Sequence, residues 1–115
     1  MSFDPGLAQL LRDDLADEPV TEQKMFGGLC FLTRGHMICG VHRGGTMFRV
    51  GKDSSPAALA VPGAQRMRMA DREMAAMVQL SPEDSADDAR RAALLSLALA
   101  TVRALPPKVA KRRKG

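Results

Sequence analysis

The sequence lacks tyrosine and tryptophan, and only four of its 115 residues are phenylalanine. Modules that bind RNA or single-stranded DNA stack bases on exposed aromatic rings, which this composition can hardly supply. Eight methionines take much of the volume that aromatic rings would fill, because the flexible thioether adapts to irregular gaps. The composition therefore argues against a base-stacking platform.

Long apolar runs are also missing. No window approaches the roughly 18 consecutive apolar residues that a membrane-spanning helix needs, so no membrane partner is expected. The N-terminal sequence MSFDPGLAQLL has neither the basic start nor the apolar core of a secretory signal, which predicts a cytoplasmic protein. The length and the 45% hydrophobic content fit one soluble domain with a single core.

Cysteine and histidine are scarce, with two of each. Cys30 and Cys39 fall in apolar runs of a chain without an export signal, which favours a reduced, buried pair over a disulfide. The spacing of His36 and His42 does not match that of zinc ligands, and we expect both side chains to be exposed to solvent. Cys39 has the opposite strand parity to both histidines, which disfavours a cysteine nucleophile with a histidine base. We therefore predict no catalytic residue, no metal site and no cofactor.

Positive charge is concentrated at the C-terminus. Five cations there leave 12 basic and 13 acidic residues in residues 1–107, so the net charge of +4 comes from the tail. We predict a folded domain over 1–107 and a flexible basic tail over 108–115. The tail either attracts nucleic acid in a salt-dependent way or serves only as a solubilising end. Its cations are Lys108, Lys111, Arg112, Arg113 and Lys114.

Helical patterns stand near both ends of the chain. Asp4 and Pro5 form a helix start, and leucines at helical spacing then predict an amphipathic helix that ends near Asp17. The segment 81–107 has the strongest helical pattern, with Ser85 or the aspartates after it at the start. Its leucines form more than one stripe. This helix therefore needs cover from the sheet on one side and from either the first helix or a second subunit on the other.

Between these helices the hydrophobic period changes to two and glycine turns recur, which predicts antiparallel strands joined by hairpins. Met67 and Met69 alternate with Arg66 and Arg68, so we expect the methionines to face the core. A short helix is expected around SSPAAL, and the segment around 74–80 is either a strand or a helical turn. The predicted class is α+β, with an antiparallel meander of about five to six strands and both terminal helices packed on one face. The first four predicted strands are 21–26, 29–33, 37–42 and 46–50.

The glycine pair in KMFGGLCF allows two interpretations. A phosphate-binding loop would follow a strand and open a helix, so that the helix amides converge on the anion. Here the apolar, strand-like stretch LCFLT follows Gly27 and Gly28, and no lysine-serine or lysine-threonine element lies downstream. The pattern therefore favours a bend or bulge between strands, with Met25 and Phe26 anchoring the sheet near the helices.

The motif order also carries a family resemblance. A helix, the stretch KMFGGLCFLTRGHMICGV and a strand ending in FRVGK together resemble the N-terminal domain of the TfoX (Sxy) family of bacterial competence regulators. The positions that match the family motif, to which we assign a structural role, are Lys24, Met25, Phe26, Gly27, Gly28 and Lys52.

The resemblance implies an α+β domain similar to the secretion-chaperone fold. It also implies a link to transcriptional control of DNA-uptake genes, in which family members resemble coactivators that work with the cyclic-AMP receptor protein. This sequence departs from the family in two respects. Only a basic tail follows the domain, where full-length regulators carry a second helical domain. Aromatic residues often found in the family's last strand and helix are replaced by methionine, leucine and alanine.

Three arginines form the main candidate binding cluster. If their strands are neighbours, Arg49, Arg66 and Arg68 project from the open face of the sheet and can hold phosphates or an acidic partner. The alternative is that they pair with nearby acids such as Asp71 and Glu73, or are simply solvated.

We expect a stand-alone, non-enzymatic regulatory or protein-interaction module related to competence regulators. Its expected partner is a protein, such as a component of the transcription machinery, and the apolar last helix leaves room for a homodimer. The alternative is a nucleic-acid-binding accessory protein that uses the basic tail and the arginine-bearing sheet face.

Overall fold

The structure is a computed structural model that describes residues 3–25, 27–69 and 71–106. The side chain of Met69, the motif residue Phe26 and the predicted basic tail lie outside the described residues, so the predictions made for them stay predictions.

Six strands form one sheet in the described part of the chain, and every neighbouring pair is antiparallel. Their order is β1-β2-β3-β4-β6-β5, so a four-stranded meander is extended by a hairpin whose second strand lies beside β4. The predicted α+β class and antiparallel sheet are confirmed, and the ambiguous segment near residue 74 is a strand. The strands are β1 (Thr21–Met25), β2 (Gly28–Thr33), β3 (His36–His42), β4 (Gly45–Arg49), β5 (Gln65–Met69) and β6 (Arg72–Leu80).

Side-chain caps fix where the helices begin. The Asp4 carboxylate accepts a hydrogen bond from the Gly6 amide at 2.7 Å, as the sequence predicts. The predicted last helix is divided in two, because Ser81 caps one start and Asp87 caps another. The helices are α1 (Pro5–Asp14), α2 (Ser55–Leu59), α3 (Pro82–Ser85) and α4 (Asp88–Arg103).

The helices pack on one face of the sheet, which we call the helix face. Phe31 and Phe48 are fully buried there beneath α4, which crosses β3 and β4. Leucines of α1 and Ala58 of α2 belong to the same core, so α1 and α2 provide the lateral cover that the apolar α4 needs.

The opposite face carries a second apolar cluster, which we call the methionine face. It alternates with the helix face along β4 and β6, since Met47 precedes Phe48 and Met77 precedes Val78. The predicted burial of Met67 is confirmed, but on this face rather than beneath the helices. The buried members of the methionine face are Cys30, Met37, Met47, Met67 and Met77.

The two cysteines lie on opposite faces. Cys30 pairs across the ladder with Gly40, and Cys39 pairs with Phe31, so their side chains point to different sides of the sheet. Both thiols are free and buried, as the sequence predicts. A disulfide between them is ruled out by this geometry.

The expected exposure of the histidines is wrong. His36 is only 7% exposed, and its Nε2 lies 2.7 Å from the Pro106 carbonyl oxygen. His42 is half-buried, and its Nδ1 accepts a hydrogen bond from the Gly44 amide at 3.3 Å. The cause is tertiary, because the chain after α4 returns to the start of β3 and covers His36 there.

Candidate functional site

The glycine pair is a structural feature of the β1–β2 hairpin. Met25 pairs with Gly28, so the connection between the two strands contains two residues. Gly27 has a φ of +72°, which L residues rarely adopt. Gly28 meets a different demand, since a Cβ atom there would lie 1.9 Å from the Val41 carbonyl oxygen of β3. The structure therefore supports the bend between strands.

The other motif residues lie at two ends of the sheet. Lys24 is exposed on β1, and Met25 packs against the methionine face. Lys52 is exposed just after β4. The motif therefore does not converge on one pocket.

Lys52 stands where two clefts meet. One, of about 490 Å³, has Arg72 and the apolar side chains of Met74 and Met77 in its walls. The other, of about 670 Å³, lies between Arg49, Lys52 and the last turn of α4 around Thr101. Lys52 lines both clefts, so a ligand bound in either one meets its ammonium group.

An irregularity in β6 creates this arrangement. Arg66 pairs with Val78 and Arg68 pairs with Glu73, so one residue of β5 lies opposite the four residues 74–77 of β6. In the bulged segment the Ala76 carbonyl accepts hydrogen bonds from two amides just after β4, Val50 at 2.9 Å and Gly51 at 3.1 Å. Such bulges redirect the chain and the side chains beside it.

Three cations surround the clefts, and we call Arg49, Lys52 and Arg72 the cationic corner. Within residues 3–25, 27–69 and 71–106, none of them has an ion-pair partner. The walls also contain two acids, Asp53 and Glu73. Positive charge is therefore in excess at the corner.

The two remaining candidate arginines are largely occupied by Glu73. The Glu73 carboxylate lies 3.4 Å from Arg68 and 3.9 Å from Arg66, and Arg68 also donates to the Asp71 carbonyl at 3.2 Å. These are the local ion pairs that the sequence offers as the alternative. The side chains of these ion pairs are open to solvent, so each pair contributes little to the stability of the fold.

The three arginines of the predicted cluster do not share one face. Arg49 pairs across the ladder with Met77 of the methionine face, whereas Arg66 pairs with Val78 of the helix face. Their strands are also separated by β6. Arg49 and Lys52 come together at one cleft instead.

Sequence reasoning missed Arg72 and Arg91. Arg91 is 2% exposed, and its guanidinium reaches Asp14 of α1 at 2.7 Å, Asp88 at 2.5 Å and the Ser85 carbonyl at 3.0 Å. The hydrogen bond to Asp14 is the main cause that raises the pKa of Arg91. Its helical spacing to Leu94 and Leu95 was a usable signal, because it places the arginine on the buried stripe of α4.

The described residues offer little for covalent or metal chemistry. Burial raises the pKa of the Cys30 thiol to about 11 and that of Cys39 well above its ordinary value, so neither is an activated nucleophile. In the part of the chain that the structure describes, no three histidine, cysteine or acidic side chains come together as metal ligands. The cationic corner can instead bind a negatively charged group next to the thioethers of Met74 and Met77.

Over residues 3–25, 27–69 and 71–106, no helix has both the length and the hydropathy that crossing a bilayer requires.

Comparison with known proteins places the chain in a family. No curated protein and no solved structure matches the chain significantly. The family model described as the TfoX N-terminal domain matches residues 10–102, which is most of the chain. The protein therefore belongs to the TfoX N-terminal domain family.

Proposed function

We propose that this TfoX N-terminal domain is a non-enzymatic protein-interaction module of the cytoplasm, related in role to the competence regulators. Its binding site is the cationic corner, and its partner supplies an acidic segment with an apolar side chain. The observation that supports this proposal is the group of three cations that have no acidic partner among the described residues and lie beside the apolar wall formed by Met74 and Met77.

The chemistry of the corner suits such a segment. The guanidinium groups of Arg49 and Arg72 can each bind a carboxylate through two parallel hydrogen bonds, while Lys52 adds a point charge. The methionine side chains can adapt to apolar groups of different shapes. Because the cations are at the surface, we expect binding to weaken as the salt concentration rises.

The experiment uses the partners that the family suggests. Purified cyclic-AMP receptor protein and RNA polymerase are immobilised, and binding of the full chain is measured by biolayer interferometry at two salt concentrations. Lys52→Glu is compared with Arg43→Glu, because Arg43 is an exposed cation at the opposite end of β4 with no ion pair among the described residues.

We expect Lys52→Glu to weaken binding about tenfold or more, since it replaces an attraction by a repulsion. Arg43→Glu should bind like the wild-type chain. Equal effects of the two substitutions would show that net charge, not the corner, determines binding. Failure of the wild-type chain to bind either probe would contradict the proposed transcription-machinery partner.

A second candidate function rests on the division of charge. The tail over 108–115 carries five cations, whereas the rest of the chain has one more acidic than basic residue. We propose as the alternative that the tail binds nucleic acid. Five phosphate contacts would give a slope of about −4 to −5 for the logarithm of the binding constant against that of the salt concentration.

Fluorescence anisotropy with duplex DNA and structured RNA tests this alternative. The full chain is compared with a chain that ends at Pro107, at low and moderate salt. Binding that is steeply salt-dependent and is lost on truncation would make the tail the functional element. If neither chain binds, direct nucleic-acid recognition is excluded.

A further inference from the structure

The first strand of the sheet has an open edge. Within the described residues, β1 pairs only with β2, and four of its five residues are exposed. The nearest helix, α1, packs mainly over β3 and reaches β1 through the Arg12 side chain. An exposed strand edge presents unpaired backbone amides and carbonyls, which can pair with another strand.

The side chains of β1 are divided between the two faces. Glu22 lies opposite Phe31 and therefore points to the helix face, as does Lys24. Gln23 lies opposite Cys30 and points to the methionine face, together with Met25. β1 thus has charged side chains on the helix face and uncharged side chains on the methionine face.

We propose that β1 pairs with β1 of a second copy of this chain. The two strands are antiparallel, and the two-fold axis between them passes midway between Gln23 of one copy and Gln23 of the other. In a continuous sheet, directly opposite residues share a face. The axis must therefore lie between a residue and the same residue of the second copy, because an axis between two successive residues would pair side chains that point to opposite faces. The register centred on Gln23 pairs all five residues of Thr21–Met25. The result is one twelve-stranded sheet, twice the six strands in the described part of one copy.

Charge complementarity selects the same register. Glu22 of one copy lies opposite Lys24 of the second copy, and the two-fold axis repeats this pair. Shifting the axis to Glu22 would place two glutamates opposite each other, and shifting it to Lys24 would place two lysines opposite each other. Like charges in directly opposite positions are destabilising, so the neighbouring registers are disfavoured.

The existing partner of Glu22 does not prevent this contact. Arg12 of α1 donates to the two carboxylate oxygens at 2.7 Å and 3.1 Å. This bond lowers the pKa of Glu22 and so keeps the carboxylate ionised near neutral pH. Each oxygen retains a further lone pair that can accept from the ammonium group of Lys24 in the second copy.

The other edge of the sheet is unsuited to self-pairing. In β5 the same antiparallel geometry, centred on Met67, would place Arg66 opposite Arg68 of the second copy. A second possibility is that β1 pairs with β5 of another copy. If all five residues are paired and the faces match, Lys24 lies opposite one of these arginines. The arrangement with the best charge complementarity is therefore the closed, two-fold pair of β1 strands.

The expected dimer is weak. A contact built on two five-residue strands lies at the small end of specific interfaces, which indicates a dissociation constant in the micromolar range or above. Met25 of each copy lies across from Thr21 of the other on the methionine face, on either side of the Gln23 pair at the axis.

Sedimentation velocity of the full chain from about 1 to about 500 μM, a range that brackets a micromolar constant, tests the proposal. The variants are Lys24→Glu, Glu22→Lys and the double variant that exchanges the two charges, with Arg43→Glu as the control. Circular dichroism confirms that each variant is folded, since Glu22→Lys also removes the ion pair with Arg12.

We expect each single reversal to raise the dimer dissociation constant about tenfold, because two attractive pairs become two repulsive ones. The double variant should restore it to near the wild-type value, and Arg43→Glu should leave it unchanged. A wild-type chain that stays monomeric over the whole range would overturn the proposal. A dimer that tolerates both single reversals, or that the exchange does not rescue, would locate the interface elsewhere.

Discussion

The two glycines of the MFGG motif should respond very differently to the same substitution. In Gly28→Ala the new methyl group would lie 1.9 Å from the Val41 carbonyl oxygen and 2.9 Å from the His42 Cα. Both atoms belong to the backbone of β3, which cannot rotate away as a side chain can. The strands β2 and β3 must therefore separate by more than 1 Å locally, which weakens their hydrogen bonds.

The expected loss follows from this geometry. Overpacking typically costs about 1–3 kcal/mol, and a rigid backbone neighbour places Gly28→Ala at or slightly above the upper end, at about 3 kcal/mol. Gly27→Ala provides the matched control, because its Cβ would meet no atom of the described residues within 4 Å and only the φ of +72° is unfavourable. That conformation costs a non-glycine residue about 1 kcal/mol.

Urea denaturation of the two variants and the wild-type chain measures the difference. With a slope of about 1.5 kcal/mol per molar urea, the midpoint should fall by about 2 M for Gly28→Ala and by about 0.7 M for Gly27→Ala. The reasoning is refuted if Gly27→Ala is the more damaging change, or if Gly28→Ala unfolds at the wild-type midpoint.

Arg91→Met should lower the free energy of unfolding, measured by urea denaturation, by about 2 kcal/mol. This is less than the loss of a fully buried ion pair, because the carboxylates of its partners Asp14 and Asp88 keep some solvent access. An unchanged midpoint would contradict a stabilising role. Cys30 and Cys39 should react with a thiol reagent only at the rate of unfolding, since both are fully buried, and stoichiometric labelling of the native chain would argue otherwise. Burial lowers the pKa of His42 from its ordinary value of 6.5, so the unfolded chain binds the proton first and the free energy of unfolding should fall as the pH drops below 6.5. This pH dependence should be shallower in His42→Gln, and NMR titration of a His42 pKa above 6.5 would exclude the explanation.

Much of the fold was predictable because its signals are local. The cap at Asp4 and the alternation of apolar residues each involve only a few neighbouring residues. The Arg34–Gly35 turn is equally local, and both residues have a positive φ there, as a tight two-residue hairpin requires. The division of the last helix was missed because Ser81 and Asp87 are both competent caps, and the pattern alone did not show that both are used.

The errors concern contacts between distant segments. The burial of His36 depends on Pro106, which lies 70 residues away, so no local pattern near the histidine reveals it. The pairing of β6 with β4 is also non-local, because α2 and β5 intervene in the sequence. Of the candidate site, the sequence predicts Arg49 as a contact residue and Lys52 only as a structural residue of the family motif. Arg72 is not predicted, since only the irregular register of β6 brings it to the cleft that it shares with Lys52.

The open edge and the cationic corner lie toward opposite sides of the sheet, which gives the proposed dimer a functional consequence. The corner is at β4 and β6, the fourth and fifth strands from the edge. With strands about 4.8 Å apart, the two corners of a dimer would be separated by about 40 Å in the direction across the strands, and they would also be displaced along the strands because the two-fold axis reverses the strand direction. A partner assembly with two acidic segments at that spacing would gain avidity without any new contact. Lys52→Glu would then act on the affinity of each site, whereas Lys24→Glu would act on the number of sites engaged together.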